Sequence, residues 1–87
     1  MALIVSPTGL ADDWLERDHR RRVRVLTQHT GAEIGVDDMG RPLVYETVVV
    51  DDDDVWVRRY ATEPEARAGH AIVLAIYGAG YSLGGNA

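Results

Sequence analysis

The second half of the chain constrains the fold most. Residues 43–50 present Leu43, Tyr45, Thr47 and Val49 on one face and Val44, Glu46, Val48 and Val50 on the other. β-Branched side chains on both faces predict a central strand. Four aspartates at 51–54 are too polar for anything but a solvent-facing connection, and residues 55–61 alternate again, so a hairpin is the economical reading. Thr62-Glu63-Pro64-Glu65 then forms a capping box: Thr62 accepts from the Glu65 amide, Glu65 reaches back, and Pro64 suits the first turn. Ala66, His70, Val73, Leu74 and Tyr77 make an i, i+4, i+7, i+8, i+11 stripe. This predicts a helix over 62–77 lying on the sheet, with Gly78 as its stop.

A chain of 87 residues makes one domain, burying only about 60–65% of its unfolded surface. It has no Cys and no Phe. Disulfides and thiolate metal sites are therefore excluded, and the large anchors are Trp14, Trp56, Tyr45, Tyr60, Tyr77 and Tyr81, whose polar tips favour partly exposed positions. All nine basic residues are Arg, in keeping with a GC-rich genome, and the net charge of −5 disfavours general binding to phosphate backbones or anionic lipid. No apolar run reaches the roughly 18–20 residues that span a bilayer. Residues 1–5 are too short, and lack the basic flank, for a secretory signal, so the protein is expected to be soluble where it is made.

The first half is less decided. Ser6-Pro7-Thr8 can start a short helix reaching about residue 18, with Leu10 and Trp14 on one face, but Gly9 weakens it. The alternative is an extended arm that orders only against a partner. Residues 22–25 alternate as a strand with Val23 and Val25 on one face and arginines on the other. Thr30-Gly31 marks a turn, 33–36 can return as a second short strand, and 37–42 read as a loop. The tail from 79 to 87 shows no periodicity and is expected to be flexible unless a neighbour holds it. Residues 1–20 form an arm or short helix, 21–78 an α+β domain, and 79–87 a glycine-rich tail.

None of the polar clusters builds a reaction centre. Four adjacent Asp at a hairpin tip diverge, unlike the alternating ligands of a calcium loop, and their charge discourages edge pairing. His19, His29 and His70 lack zinc-ligand spacing, and His70 falls on the core-facing stripe, where a hydrogen bond to sheet backbone is expected. Ser6 and Ser82 occupy no nucleophile elbow, and the glycine-rich tail follows a helix instead of preceding one. Catalytic, cofactor and metal sites are all expected to be absent. Arg17, Arg20, Arg21, Arg22 and Arg24 form the one basic cluster. Without interleaved aromatics it suits carboxylate pairing or protein docking better than single-stranded nucleic acid. The candidate partner-binding residues are Trp14, Arg20, Arg21, Arg22, Trp56 and Tyr81.

Tyr45-Glu46-Thr47-Val48-Val49-Val50, a short acidic insert, then Arg59-Tyr60-Ala61-Thr62-Glu63-Pro64-Glu65-Ala66 and Gly69-His70 resemble a small-protein family of actinobacterial bacteriophages and prophages. That family carries an ETMVF…RYAT-x-x-EA-x-x-GH pattern. The likeness spans about residues 43–75 and departs at Val48-Val49-Val50, where the family often has Met, Val and Phe. It implies a phage setting, in the virion or the host cytoplasm, and transfers no activity.

These features together predict an α+β fold: a three- or four-stranded antiparallel sheet, a C-terminal helix packed on it, and an N-terminal short helix or arm. The expected function is a non-enzymatic interaction module, a small structural or accessory component of the virion with protein partners and an oligomeric state set by the assembly. Two alternatives stand beside it. One is an intracellular inhibitor of a host or defence protein, its acidic surface imitating nucleic acid. The other is a small DNA-binding regulator using residues 17–24.

Overall fold

The computed structural model describes residues 8–16, 22–52 and 54–83. Four strands, β1 (Thr8–Glu16), β2 (Arg22–His29), β3 (Tyr45–Asp51) and β4 (Asp54–Tyr60), form one antiparallel sheet in the order β1-β2-β3-β4. The helix α1 (Glu63–Gly78) follows and lies chiefly over β2 and β3. The fold is thus the expected α+β sheet with one packed helix.

Period-two alternation sorts each strand into two faces. Leu15, Asp13 and Ala11 of β1 pair with Val23, Val25 and Thr27 of β2. Val25 and Thr27 stand opposite Val49 and Thr47 of β3, which meet Trp56 and Arg58 of β4. This is the helix-covered face. Val23, Val25, Val49, Val73 and Tyr77 form the buried core, and Leu15, Trp56, Leu74 and Leu83 pack around it.

The fourth strand comes from residues 8–16, where the sequence left helix and arm open. Its chain is extended, but it orders against β2 of the same molecule, because Ala11, Asp13 and Leu15 alternate with Asp12, Trp14 and Glu16. A helical reading would have scattered those residues over every face. Residues 33–36 do not form the expected strand: only a Val36–Pro42 bridge survives there. The loop instead closes on itself through Ile34 N–H to the Leu43 carbonyl (2.9 Å) and Leu43 N–H to that of Gly35 (2.8 Å). Asp37 Oδ1 accepts from the amides of Met39 and Arg41, and these bonds hold its carboxyl below the usual carboxylate range.

The helix start is as expected, with Thr62 as the cap accepting from the Glu65 amide at 3.3 Å. The Glu65 carboxylate, however, takes the Thr62 hydroxyl (3.1 Å) and the Arg41 guanidinium (2.7 Å). Arg41 also binds Asp37 (2.6 Å), so it ties the loop to the helix start. At the other end Gly78 does not stop the helix. Gly80 does, at φ +92, with its N–H on the Tyr77 carbonyl and the Tyr81 N–H on that of Ile76. A left-handed residue two positions later is what the last carbonyls require. Nor is the tail loose through residue 83, since Leu83 packs on the core and its N–H donates to Tyr77 Oη at 3.1 Å.

The acidic connection is shorter than four residues. Asp51 is the buried last residue of β3 and Asp54 the first of β4, pairing with each other across the turn, and Asp52 takes φ +56. Asp51 is covered because it pairs with Val23 on the helix side of the sheet.

Helix and sheet approach closely at Gly69. A Cβ there would overlap Tyr60 Oη and Cζ of the same buried ring, so no larger residue fits without moving it. Tyr60 Oη is itself enclosed, and no partner reaches it among the described residues. Enclosing an unpaired hydroxyl costs about 1–3 kcal/mol. Tyr60→Phe is therefore expected to raise stability by about 1 kcal/mol in urea melts. A loss of stability would mean that the hydroxyl has a partner in solution.

Candidate functional site

Two constellations arise that have no single local signature. The first runs through the core. His70 is buried on α1, with Nε2 2.7 Å from Asp13 Oδ2 and Nδ1 2.7 Å from Thr27 Oγ1. Thr27 Oγ1 is in turn 2.5 Å from Thr47 Oγ1. A carboxylate accepts, so Nε2 donates to Asp13, and Thr27 Oγ1 lies between Nδ1 and Thr47 Oγ1, able to donate to one and accept from the other.

The sequence led to expect sheet backbone as the partner of His70. Side chains take that place, because the ladder already occupies the backbone of the central strands. The order acid, imidazole, hydroxyl is that of a hydrolase, but Thr27 is 0% exposed and lies beneath α1. As placed, it can satisfy polar groups and fix the helix on the sheet, and no substrate carbonyl can reach it. Among the described residues no three His, Asp or Glu side chains converge to hold a metal ion.

The second constellation is the open face of the sheet. One row across it reads Trp14, Arg24, Val50, Val55, and the next reads Asp12, Leu26, Val48, Val57. Trp14 is 53% exposed, Val55 64%, Val57 42% and Val50 39%. The guanidinium groups of Arg22 and Arg24 lie 4.8 and 5.5 Å from the Trp14 ring centroid. Arg24 also forks onto Asp12 through Nε (3.0 Å) and Nη2 (2.7 Å). That pairing is the main reason the Asp12 carboxyl titrates below its usual value and the Arg24 guanidinium above its own. Gln28 donates to Glu46 at 2.9 Å along the far margin, with Arg59 opposite Glu46. An apolar centre thus sits within a rim carrying both signs of charge.

Of the sequence candidates, Trp14 and Arg22 come together here. Arg20 and Arg21 lie outside the described residues. Trp56 is on the other face, half-buried against the core, and Tyr81 follows the helix, exposed and far from the open face in sequence. The basic stretch has no aromatic neighbour in sequence, yet pairing of β1 with β2 lays Trp14 over it. Arg24, Val48, Val50, Val55 and Val57 were not among the candidates. Alternation in 43–61 was the only sequence signal for the valines and the basic cluster the signal for Arg24, and neither says which face the helix will cover.

Neither a protein-family model, a curated protein nor a solved structure matches the chain. The likeness to a phage family over residues 43–75 therefore rests on the sequence pattern alone.

Two outcomes are expected. Thr27→Val leaves His70 Nδ1 without its hydroxyl partner and should cost about 1–3 kcal/mol in urea melts with an unchanged m-value. A change within about 0.5 kcal/mol would show that the chain of hydrogen bonds adds nothing. Secondly, Asp12 has a folded pKa below 3.8. Its pairing is therefore complete above that pH and lost as pH falls through the lower folded value. Trp14 emission, read in a Trp56→Phe background, should change with a midpoint below 3.8. A midpoint above it would contradict the Asp12–Arg24 pairing.

Proposed function

We propose that this chain is a non-enzymatic protein–protein interaction module that docks through the open face of its sheet, as a small accessory component of a phage assembly. The observation that carries the docking reading is the row from Trp14 to Val55: an exposed indole between two arginines and, beyond Arg24, exposed valines. Protein interfaces are enriched in aromatic residues and Arg and have an apolar centre with a polar rim. A contiguous apolar patch on a small domain is a recognised mark of such a surface. The phage setting draws on the sequence resemblance.

Nucleic acid is the weaker reading. The arginine nearest the centre of the face already forks onto Asp12, and Asp12, Glu16 and Glu46 share that face with the arginines. A backbone of phosphates would meet as much repulsion as attraction. One stacked indole also falls short of the succession of aromatics that holds single strands.

The test is quantitative mass spectrometry of particles purified from a culture producing the phage. The chain is expected in fixed ratio to the shell and tail proteins. A Trp14→Ala, Val48→Asp variant with an unchanged melting midpoint is expected to be depleted at least tenfold. Absence of the wild-type chain from particles, with clear presence in the lysate, would overturn the assembly reading. Equal incorporation of the variant would overturn the face.

A further inference from the structure

The two edges of the sheet differ. β1 is interrupted by a register shift between Gly9 and Ala11 and carries Asp12, Asp13 and Glu16, both devices that blunt an edge. β4 carries no proline and pairs with β3 without a break from Tyr60 to Asp54. No strand covers its outer side among the described residues, and α1 sits mainly over β2 and β3. Because Asp51 and Asp54 pair directly across the hairpin turn, they exchange hydrogen bonds. Alternation then turns the backbone groups of Val55, Val57 and Arg59 outward.

The side chains of this edge are complementary to themselves. Running antiparallel to a second copy, with Trp56 opposite Trp56, β4 sets Asp54 opposite Arg58 twice and Val55 opposite Val57 twice. The two valine pairs fall where outward N–H and C=O groups meet. Sliding the register by two residues sets Asp54 against Tyr60 or Trp56 instead, and parallel pairing sets like charges together. Among the described residues neither Asp54 nor Arg58 has an ion-pair partner, and both are exposed. Opposite charges directly across an antiparallel pair favour it, and like charges oppose it.

We propose that the outer edge of β4 is a homodimer interface, in which two copies pair antiparallel about Trp56 into one eight-stranded sheet. The two-fold axis stands perpendicular to the sheet, so both helices lie on one side and both open faces on the other. Val55 and Val57 of the two copies then meet in the centre of one continuous open surface. This inference is independent of the docking reading, since either surface can exist without the other. Pairing at one strand edge buries less than a permanent interface does, so the dimer is expected to be concentration-dependent, with a dissociation constant of about micromolar or weaker.

Sedimentation equilibrium from about 1 µM to about 1 mM tests it, a range that brackets the expected affinity. The wild-type chain should pass from monomer to dimer. R58D and D54R should each weaken the dimer at least tenfold, while an equimolar mixture of the two variants should recover it as a heterodimer in which each carboxylate again faces a guanidinium. Amide exchange on the wild-type chain needs no variant: Val55 and Val57 N–H should gain protection as concentration rises. A wild-type chain monomeric throughout, single variants that dimerise undiminished, or a mixture that stays monomeric would each overturn the proposal.

Discussion

One sixteen-residue helix has to cover a four-stranded sheet, and the rest of the structure follows from how closely it does so. The approach is set at Gly69, where the absence of a side chain lets α1 settle onto the Tyr60 ring. The next residue, His70, reaches through to Thr27 and Asp13. A core with no Phe, built on Val23, Val25, Val49 and Val73, can close only if helix and sheet come this near. The polar chain from Asp13 to Thr47 occupies the space that larger apolar residues fill in other small domains. Its members satisfy one another, which is the condition under which buried polarity is tolerated.

Among the described residues the same economy leaves the other face and both edges uncovered. A single helix gives one covered face, and the strands have enough Val, Leu and Trp for two. The open face manages its apolar content with polar groups partnered in place, Arg24 on Asp12 and Gln28 on Glu46. The result is a surface of mixed character, open to a partner protein and poorly suited to a polyanion. β1 is bulged and acidic, whereas β4 is regular and carries a carboxylate near one end and guanidinium groups near the other. That polarity along the strand gives antiparallel self-pairing its advantage over parallel.

Local patterns carried their information well where the chain contacts its sequence neighbours. The Thr62 cap, the helical stripe through Tyr77 and the two strands of the hairpin all depend on residues within a few positions of one another, and each lies within a residue or two of its expected place. The failures share a cause. Residues 8–16 pair with β2 across separations that grow from 6 positions at Glu16–Arg22 to 21 at Thr8–His29, and nothing local separates an extended arm from an edge strand. Residues 33–36 have strand composition, but the loop satisfies their backbone groups by itself. Gly80 was preferred to Gly78 because the closing bonds on Tyr77 and Ile76 need the left-handed residue there. Asp51 was assigned to solvent by its charge, while its pairing with Val23 carried it under the helix.

By itself the sequence determined the class of fold, the hairpin, the helix with its start, and the absence of thiol chemistry, because periodicity, capping and composition are properties of neighbouring residues. Only the tertiary structure decided which face of the sheet the helix covers, and with it the fate of every alternating residue. A one-residue phase choice sends Val49 and Trp56 inward and Val50 and Val55 outward. It also brought together Asp13 and His70, and Trp14 with Arg22 and Arg24. Those contacts depend on strand register and helix docking, which are fixed by packing across the whole domain and written in no single segment of the chain.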